Sequence, residues 1–257
     1  MAATPVLSPI DHPRRILRCT HGPPASRLEV GGEGRSRTKS TETRPLKWRM
    51  TFVRWLLVVI ALGVGAPSSA QTGAPVLLVV GDSISAGYGL ARGEGWVDLL
   101  EQRLRQQGYR ERVVNASISG DTTAGGLARL PALLREHHPS IVVIELGGND
   151  ALRGGNLQST RTNLDAMVAA VQGARAKPLI LAMKVPPNYG PAYARTFDAL
   201  FTDVAKARHT PVVPYLFEGF GEDLAKFQPD RIHPTAEVQA RILDNVWPAL
   251  VPLLARK

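Results

Sequence analysis

The sequence predicts an α/β protein, a three-layer α/β/α sandwich built on a five-stranded parallel sheet. Short apolar runs recur along residues 71–257 and alternate with amphipathic stretches of helical period, the pattern of a sheet covered on both faces. The glycine-rich polar segments that carry reactive side chains each follow one of those runs, as they do where an open sheet gathers ligands at the carboxyl ends of its strands. No internal repeat or second set of elements is present, so a single doubly wound domain with the flavodoxin-like strand order 2-1-3-4-5 is expected.

Each element follows from its residues. Strands are read at 76–80, 112–115, 141–145, 179–183 and 212–214, all short and rich in Val, Ile and Leu. After the first strand, Trp96, Val97, Leu99, Leu100 and Leu104 share one helical face. Residues 123–135 place Leu127, Leu130, Leu133 and Leu134 at similar spacing, and 164–171, 193–207 and 236–254 supply three further helices.

The amino-terminal part reads differently. Residues 1–49 are rich in Arg, Pro, Gly, Ser and Thr without a sustained apolar period, so they cannot bury a core. Met50 then opens a short basic stretch, residues 56–66 form an unbroken run of apolar residues and glycine, and Ser68-Ser69-Ala70 supplies small residues before Gln71. These are the three parts of a secretory signal peptide, and the run falls short of the roughly 20 apolar residues that span a bilayer. Residues 1–49 are therefore expected to be an over-extended or disordered start, 50–70 a signal peptide, and 71–257 the working domain, exported to the periplasm or beyond. No stable membrane insertion is expected once the signal is removed.

Composition excludes several classes. The formal charge of +9 suggests a nucleic-acid binder, but residues 1–49 carry +6, Arg54 adds one, and residues 71–257 are left with +2. No nucleic-acid partner is expected. The one cysteine, Cys19, lies in the amino-terminal segment, so the domain offers no disulfide, thiolate nucleophile or Cys-based zinc site. No metal or cofactor is expected, and the domain is expected to act as a monomer.

Chemistry concentrates in four segments: Gly81-Asp82-Ser83-Ile84-Ser85, Ser119-Gly120-Asp121, Gly147-Gly148-Asn149-Asp150 and Asp230-Arg231-Ile232-His233-Pro234. Ser83 sits at the end of the first strand with small neighbours that leave its hydroxyl accessible. It does not lie in a Gly-x-Ser-x-Gly elbow, because position 85 is serine. Of the six histidines, His233 alone has a carboxylate three residues away in a loop. Asp230 can hold one imidazole nitrogen while the other faces Ser83, the division of roles in a serine triad. Gly120 lets a backbone N–H approach a substrate oxygen, and Asn149 offers a neutral side-chain N–H. Both are candidate oxyanion donors. Leu146, Leu152, Val185, Pro187 and Tyr189 are candidate walls of an apolar substrate groove.

These segments resemble the conserved blocks of the GDSL, or SGNH, hydrolase family. Ser83, Gly120, Asn149 and His233 match the four residues that name it. The likeness is closer to the bacterial periplasmic acyl-thioesterase, lysophospholipase and arylesterase group, through residues 115–122, 145–154 and Pro187-Asn188-Tyr189-Gly190, and it covers nearly all of residues 75–257. The resemblance implies Ser83 as nucleophile, His233 as base and Asp230 as its partner. It also implies an oxyanion hole of the Ser83 and Gly120 N–H groups with Asn149, and a small-molecule or lipid ester as substrate. Two departures stand out. Arg231 occupies a position where the group often has glycine, and residues 183–187 differ from its usual acyl-binding wall. A carbohydrate O-deacetylase or an acyltransferase would use the same triad, and a non-catalytic lipid-binding module would explain the apolar loops alone.

Overall fold

The structure, a computed structural model, describes residues 73–255; the segments expected at 1–49 and 50–70 lie outside the described residues, apart from the domain itself. Five parallel strands form one sheet in the order β2-β1-β3-β4-β5. They are β1 Val76–Gly81, β2 Arg112–Asn115, β3 Ile141–Glu145, β4 Lys177–Leu181 and β5 Val212–Val213. Leu77 through Val80 on β1 and Val142 through Ile144 on β3 have no exposed surface. Burying one such aliphatic side chain contributes about 1.5–3 kcal/mol, so the central strands carry the core.

Seven α-helices connect and cover the strands among the described residues: α1 Ser83–Ala86, α2 Trp96–Gln106, α3 Thr123–His137, α4 Gly148–Leu152, α5 Leu157–Gly173, α6 Pro191–Ala207 and α7 Gln239–Leu250. Helices α2 and α7 pack together on one face of the sheet, while α3, α5 and α6 form a continuous layer on the other. Trp96, Leu100 and Leu104 of α2 are fully buried, as the helical spacing predicts. Thr122 caps α3 by accepting the Gly125 N–H at 3.2 Å.

Several boundaries differ from the sequence expectation for identifiable reasons. Strand β4 starts at Lys177, ahead of the predicted 179, because it accommodates Pro178. Lys177 donates toward β3 (to Ser140 O, 2.9 Å), whereas Ile180 and Ala182 donate toward β5 (to Pro211 O and Val213 O). Position 178 therefore points toward β5 before β5 has begun, and no ladder bond is lost there. The single helix expected at 236–254 is instead a 3₁₀ turn Ala236–Val238, then α7, then a 3₁₀ turn Val251–Leu253. Pro252 lacks the N–H that continuing α7 would need from it, so the chain leaves the α-helix there, while Pro248 is carried inside α7. Helix α5 begins at Leu157, well before the predicted 164, because Asn156 caps it by accepting from Gln158 and Ser159.

Candidate active site

Ser83 leaves β1 directly into a one-turn helix. Asp82 caps that helix by accepting the Ile84 N–H at 3.0 Å, which makes Ser83 its first residue. The backbone N–H of Ser83 thus lacks an intrahelical acceptor and stays available. The flanking small residues do different work from leaving the serine open. Ser85 is buried and hydrogen-bonded to Glu145. A Cβ on Gly81 would lie 2.7 Å from Ser85 Cβ and 2.8 Å from Glu145 Oε2, so glycine is required there by close approach.

His233 arrives from the opposite end of the chain on a loop pinned at its base. Phe227 and Pro234 form an antiparallel bridge, and Gln228 N–H donates to His233 O at 2.7 Å. The Gln228 side chain also donates to Tyr88 O at 2.8 Å, tying the histidine loop to the serine segment. Within the loop, Asp230 Oδ1 accepts the backbone N–H groups of Ile232 (2.9 Å) and His233 (3.0 Å). Asp230 Oδ2 lies 2.7 Å from His233 Nδ1, and His233 Nε2 lies 2.8 Å from Ser83 Oγ. A carboxylate only accepts, so Nδ1 carries the proton and Nε2 accepts from the serine hydroxyl. Burial alone would raise the Asp230 pKa, but the His233 and Ile232 N–H groups and the imidazole outweigh it and hold it near 2. The Tyr88 ring covers the imidazole, with centroids 4.5 Å apart.

Gly120 sits in a four-residue turn closed by Asp121 N–H to Ile118 O at 3.0 Å. Its φ of +80° is the left-handed value a type II turn demands, which explains the glycine. Arg129 of α3 clamps this turn to the sheet through Asp121 (2.8 Å), Ala116 O and Gly81 O. Asn149 is the second residue of α4 and donates from Nδ2 to Asp82 Oδ2 at 3.0 Å. At the other end of α4, Arg153 donates to Gly120 O at 2.9 Å. The three expected oxyanion donors are thus held together by direct hydrogen bonds between their segments. Asp150 secures α4 to the start of α3 by accepting the Thr123 N–H at 2.9 Å and the Thr123 hydroxyl.

The candidate groove residues divide. Leu146 is 0 % exposed and packs inside the core beneath α3; it cannot wall a groove, and its apolar character reflects the end of a buried strand. Leu152 and Val185 are half-buried. Pro187 opens a 3₁₀ turn Pro187–Tyr189. Tyr189 is half-buried and donates its hydroxyl to Leu152 O at 2.9 Å, while Tyr193 reaches Gly155 O at 3.2 Å. These tyrosines tether the segment that follows Asn149. The sequence reading missed Tyr88, Gln228, Arg153 and Glu145. All four act through contacts between distant segments, so no local spacing reveals them. Within the glycine-rich segment after β3, residues Gly148–Leu152 form α4. Among the described residues, no group of three or more His, Asp or Glu side chains is placed to hold a metal ion.

Arg231 is strained. Its φ is +59°, a left-handed conformation that costs a side chain with a Cβ about 1–2 kcal/mol. Part of that cost is offset because glycine loses more entropy on folding. Arg231→Gly is therefore expected to stabilise the fold by about 0.5–1 kcal/mol, read as a higher Tm in a thermal melt. An unchanged or lower Tm would show that the arginine side chain compensates for its backbone.

The chain matches the model of the GDSL-like lipase/acylhydrolase family over residues 79–241. It is 53 % identical over 184 residues to the Pseudomonas aeruginosa esterase TesA, covering 72 % of this chain and 92 % of that protein. It is 38 % identical over 208 residues to thioesterase 1/protease 1/lysophospholipase L1 of Escherichia coli K12, covering 81 % and 94 %. Among solved structures, a crystal structure of TesA superposes with a TM-score of 0.68 at 54 % identity, covering 70 % of this chain and 99 % of that one.

Proposed function

The chain belongs to the GDSL-like lipase/acylhydrolase family, and from that premise we propose that it cleaves acyl and aryl esters or acyl thioesters through Ser83, His233 and Asp230 by way of an acyl-enzyme. That it is a serine ester hydrolase follows from the family and its relatives. The observation that carries the residue assignment is the unbroken relay from Asp230 to His233 (2.7 Å) to Ser83 (2.8 Å).

Ser83 Oγ attacks the acyl carbonyl as its proton passes to His233 Nε2. The carbonyl oxygen becomes an oxyanion facing the Ser83 and Gly120 N–H groups and the free N–H of the Asn149 amide. Imidazolium gives its proton to the departing alcohol or thiol, and the acyl-enzyme forms. Water then attacks the acyl carbon with His233 again as base, and Ser83 is restored. Asp230, ionised through the whole working range, keeps the imidazole in the tautomer that accepts from serine.

The apolar character of the mouth favours acyl and aryl esters over acetylated sugars. Tyr88, Ile118 and Ile232 are exposed large hydrophobic side chains, and each lies in a segment that delivers a catalytic group. Ile118 is anchored beside the serine by its N–H to Gly81 O at 3.0 Å. The protein is proposed to work after export, with residues 50–70 as its signal, and as a monomer. The test is labelling with a fluorophosphonate, mapping of the labelled residue and hydrolysis of p-nitrophenyl esters from acetate to palmitate. Labelling at Ser83 with turnover rising beyond acetate is expected. Turnover confined to acetate would favour a deacetylase, and labelling elsewhere would overturn the assignment.

Asn149→Ala is expected to lower kcat by about 10²–10³ with little change in KM, since an oxyanion donor acts in the transition state. Steady-state kinetics on p-nitrophenyl butyrate decides this, and a near-normal kcat removes Asn149 from the hole.

A further inference from the structure

Two carboxyl groups lie beneath Ser83, and neither exchanges a proton with substrate in the reaction above. Asp82, 2 % exposed, joins β1 to α1 and has both oxygens occupied: Oδ1 by the Ile84 N–H at 3.0 Å and Oδ2 by Asn149 Nδ2 at 3.0 Å. Glu145 ends the neighbouring strand β3, in register with Gly81, and has no exposed surface. Its Oε2 accepts the Ser85 hydroxyl at 2.7 Å and a long contact from the Asp82 N–H at 3.3 Å, while its Oε1 is buried without a partner.

Two charges cannot both persist so close together away from water. The hydrogen bonds decide which group keeps its proton. Asp82 receives two well-placed N–H donors, whereas Glu145 receives one hydroxyl and only long or weak approaches from the Asp82 and Ser85 N–H groups, is buried completely, and leaves an oxygen unsatisfied. The proton therefore stays on Glu145 and the negative charge on Asp82.

We propose that ionised Asp82 is a positioning residue of the oxyanion hole: it grips one N–H of the Asn149 amide so that the other is presented to substrate, and protonating Asp82 releases the grip. The proposal rests on the triad and oxyanion reading given above. A carboxylate near an oxyanion carries an electrostatic cost. The same charge favours the imidazolium that His233 becomes in that step, and a fixed amide spares the reorganisation that otherwise consumes a donor's benefit.

The charged and titratable groups that face Asp82 are His233 across Ser83, Glu145 from β3 and Asp121 from the Gly120 turn. The charge of Asp121 is matched by Arg129 at 2.8 Å. Burial raises Asp82 to about 6, against the Ile84 N–H, the His233 charge and the Asn149 amide, with Asp121 adding to the rise. Glu145 is pushed well above the carboxylate range, by burial first and by the Asp82 charge second. Because its pKa is raised, Asp82 grips Asn149 above about pH 6 and lets go as the pH falls through that value. Acidification then removes two functions, the base and the positioned donor.

The experiment is the pH dependence of kcat for the full-length wild type, Asp82→Asn and Asn149→Ala on p-nitrophenyl butyrate, with tryptophan fluorescence confirming the fold at each pH. The wild-type acid limb is expected to steepen beyond a slope of one toward about two in log kcat against pH. In Asn149→Ala the slope is expected to return to about one, because no donor remains for Asp82 to hold. Asp82→Asn turns its own NH₂ toward Asn149, and its kcat is expected to drop about 10²-fold with KM within about threefold and a slope of about one. A wild-type slope of one overturns the proposal, as does an Asp82→Asn enzyme of wild-type kcat. If Asp82→Asn does not fold, the Asn149→Ala slope decides alone: a limb as steep as wild type overturns the proposal. Ser83→Ala with wild-type turnover would instead sink the triad reading beneath it, a result independent of every slope.

Discussion

Ser83→Ala and His233→Ala are each expected to lower kcat by about 10⁵–10⁶, leaving only a slow background reaction. The expectation follows from the geometry of the relay. The serine hydroxyl has one base within reach, His233 Nε2 at 2.8 Å, so removing either partner leaves no route to an alkoxide. Because the two act as one unit, the double variant is expected to be no slower than either single one. Residual turnover is expected to persist above the uncatalysed rate, since the proposed donors at Gly120 and Asn149 lie in other segments and the backbone N–H at position 83 survives the loss of the side chain. Neither change disturbs the core: Ser83 and His233 are only partly buried, and the loop around His233 is held by Gln228 and by backbone bonds. Thermal melts within a few degrees of wild type, with fluorophosphonate labelling lost in Ser83→Ala, complete the expected result. A Ser83→Ala enzyme that kept more than about one per cent of activity would place the nucleophile elsewhere.

The sheet was legible because its strands are buried on both faces. β2 and β3 have the boundaries read from the sequence, and β1 is longer by one residue, because an apolar run bounded by polar or glycine-rich segments leaves little freedom. Strand β4 was misplaced by two residues because Pro178 reads as a breaker until the direction of its missing N–H is known. The grouping of the three residues proposed as a triad was legible because Asp230 and His233 are sequence neighbours and the serine follows a strand. The support beneath it was not. Glu145 reads as the last residue of a strand, and its contacts to Ser85 and Asp82 span about sixty residues of sequence. Gln228 joins Tyr88 across 140 residues. The same blindness put Leu146 into the substrate groove: an apolar residue just before Asn149 reads equally well as wall or core, and only the position of α3 decides.

Asp230→Asn is expected to be the next most damaging change after those two, costing about 10⁴ in kcat while leaving the fold nearly as stable as wild type. Asp230 serves two masters with its two oxygens. Oδ1 accepts the Ile232 and His233 N–H groups and shapes the loop, while Oδ2 faces His233 Nδ1 at 2.7 Å. In the asparagine variant, the carbonyl oxygen must take the Oδ1 place, because two backbone donors converge there and an NH₂ would repel both. The NH₂ then falls opposite Nδ1 and donates to it. Nδ1 becomes the acceptor, the ring proton moves to Nε2, and the nitrogen facing Ser83 can no longer take a proton. Asp230→Ala removes both contacts and leaves the imidazole free to sample either tautomer. It is therefore expected to melt at a lower temperature than Asp230→Asn yet to turn over faster. The two orders, of stability and of activity, run in opposite directions only if the tautomer is what Asp230 controls. An Asp230→Asn enzyme within about tenfold of wild type would show that the imidazole needs no such control, and a shared order in both measurements would reduce Asp230 to a shaper of its loop.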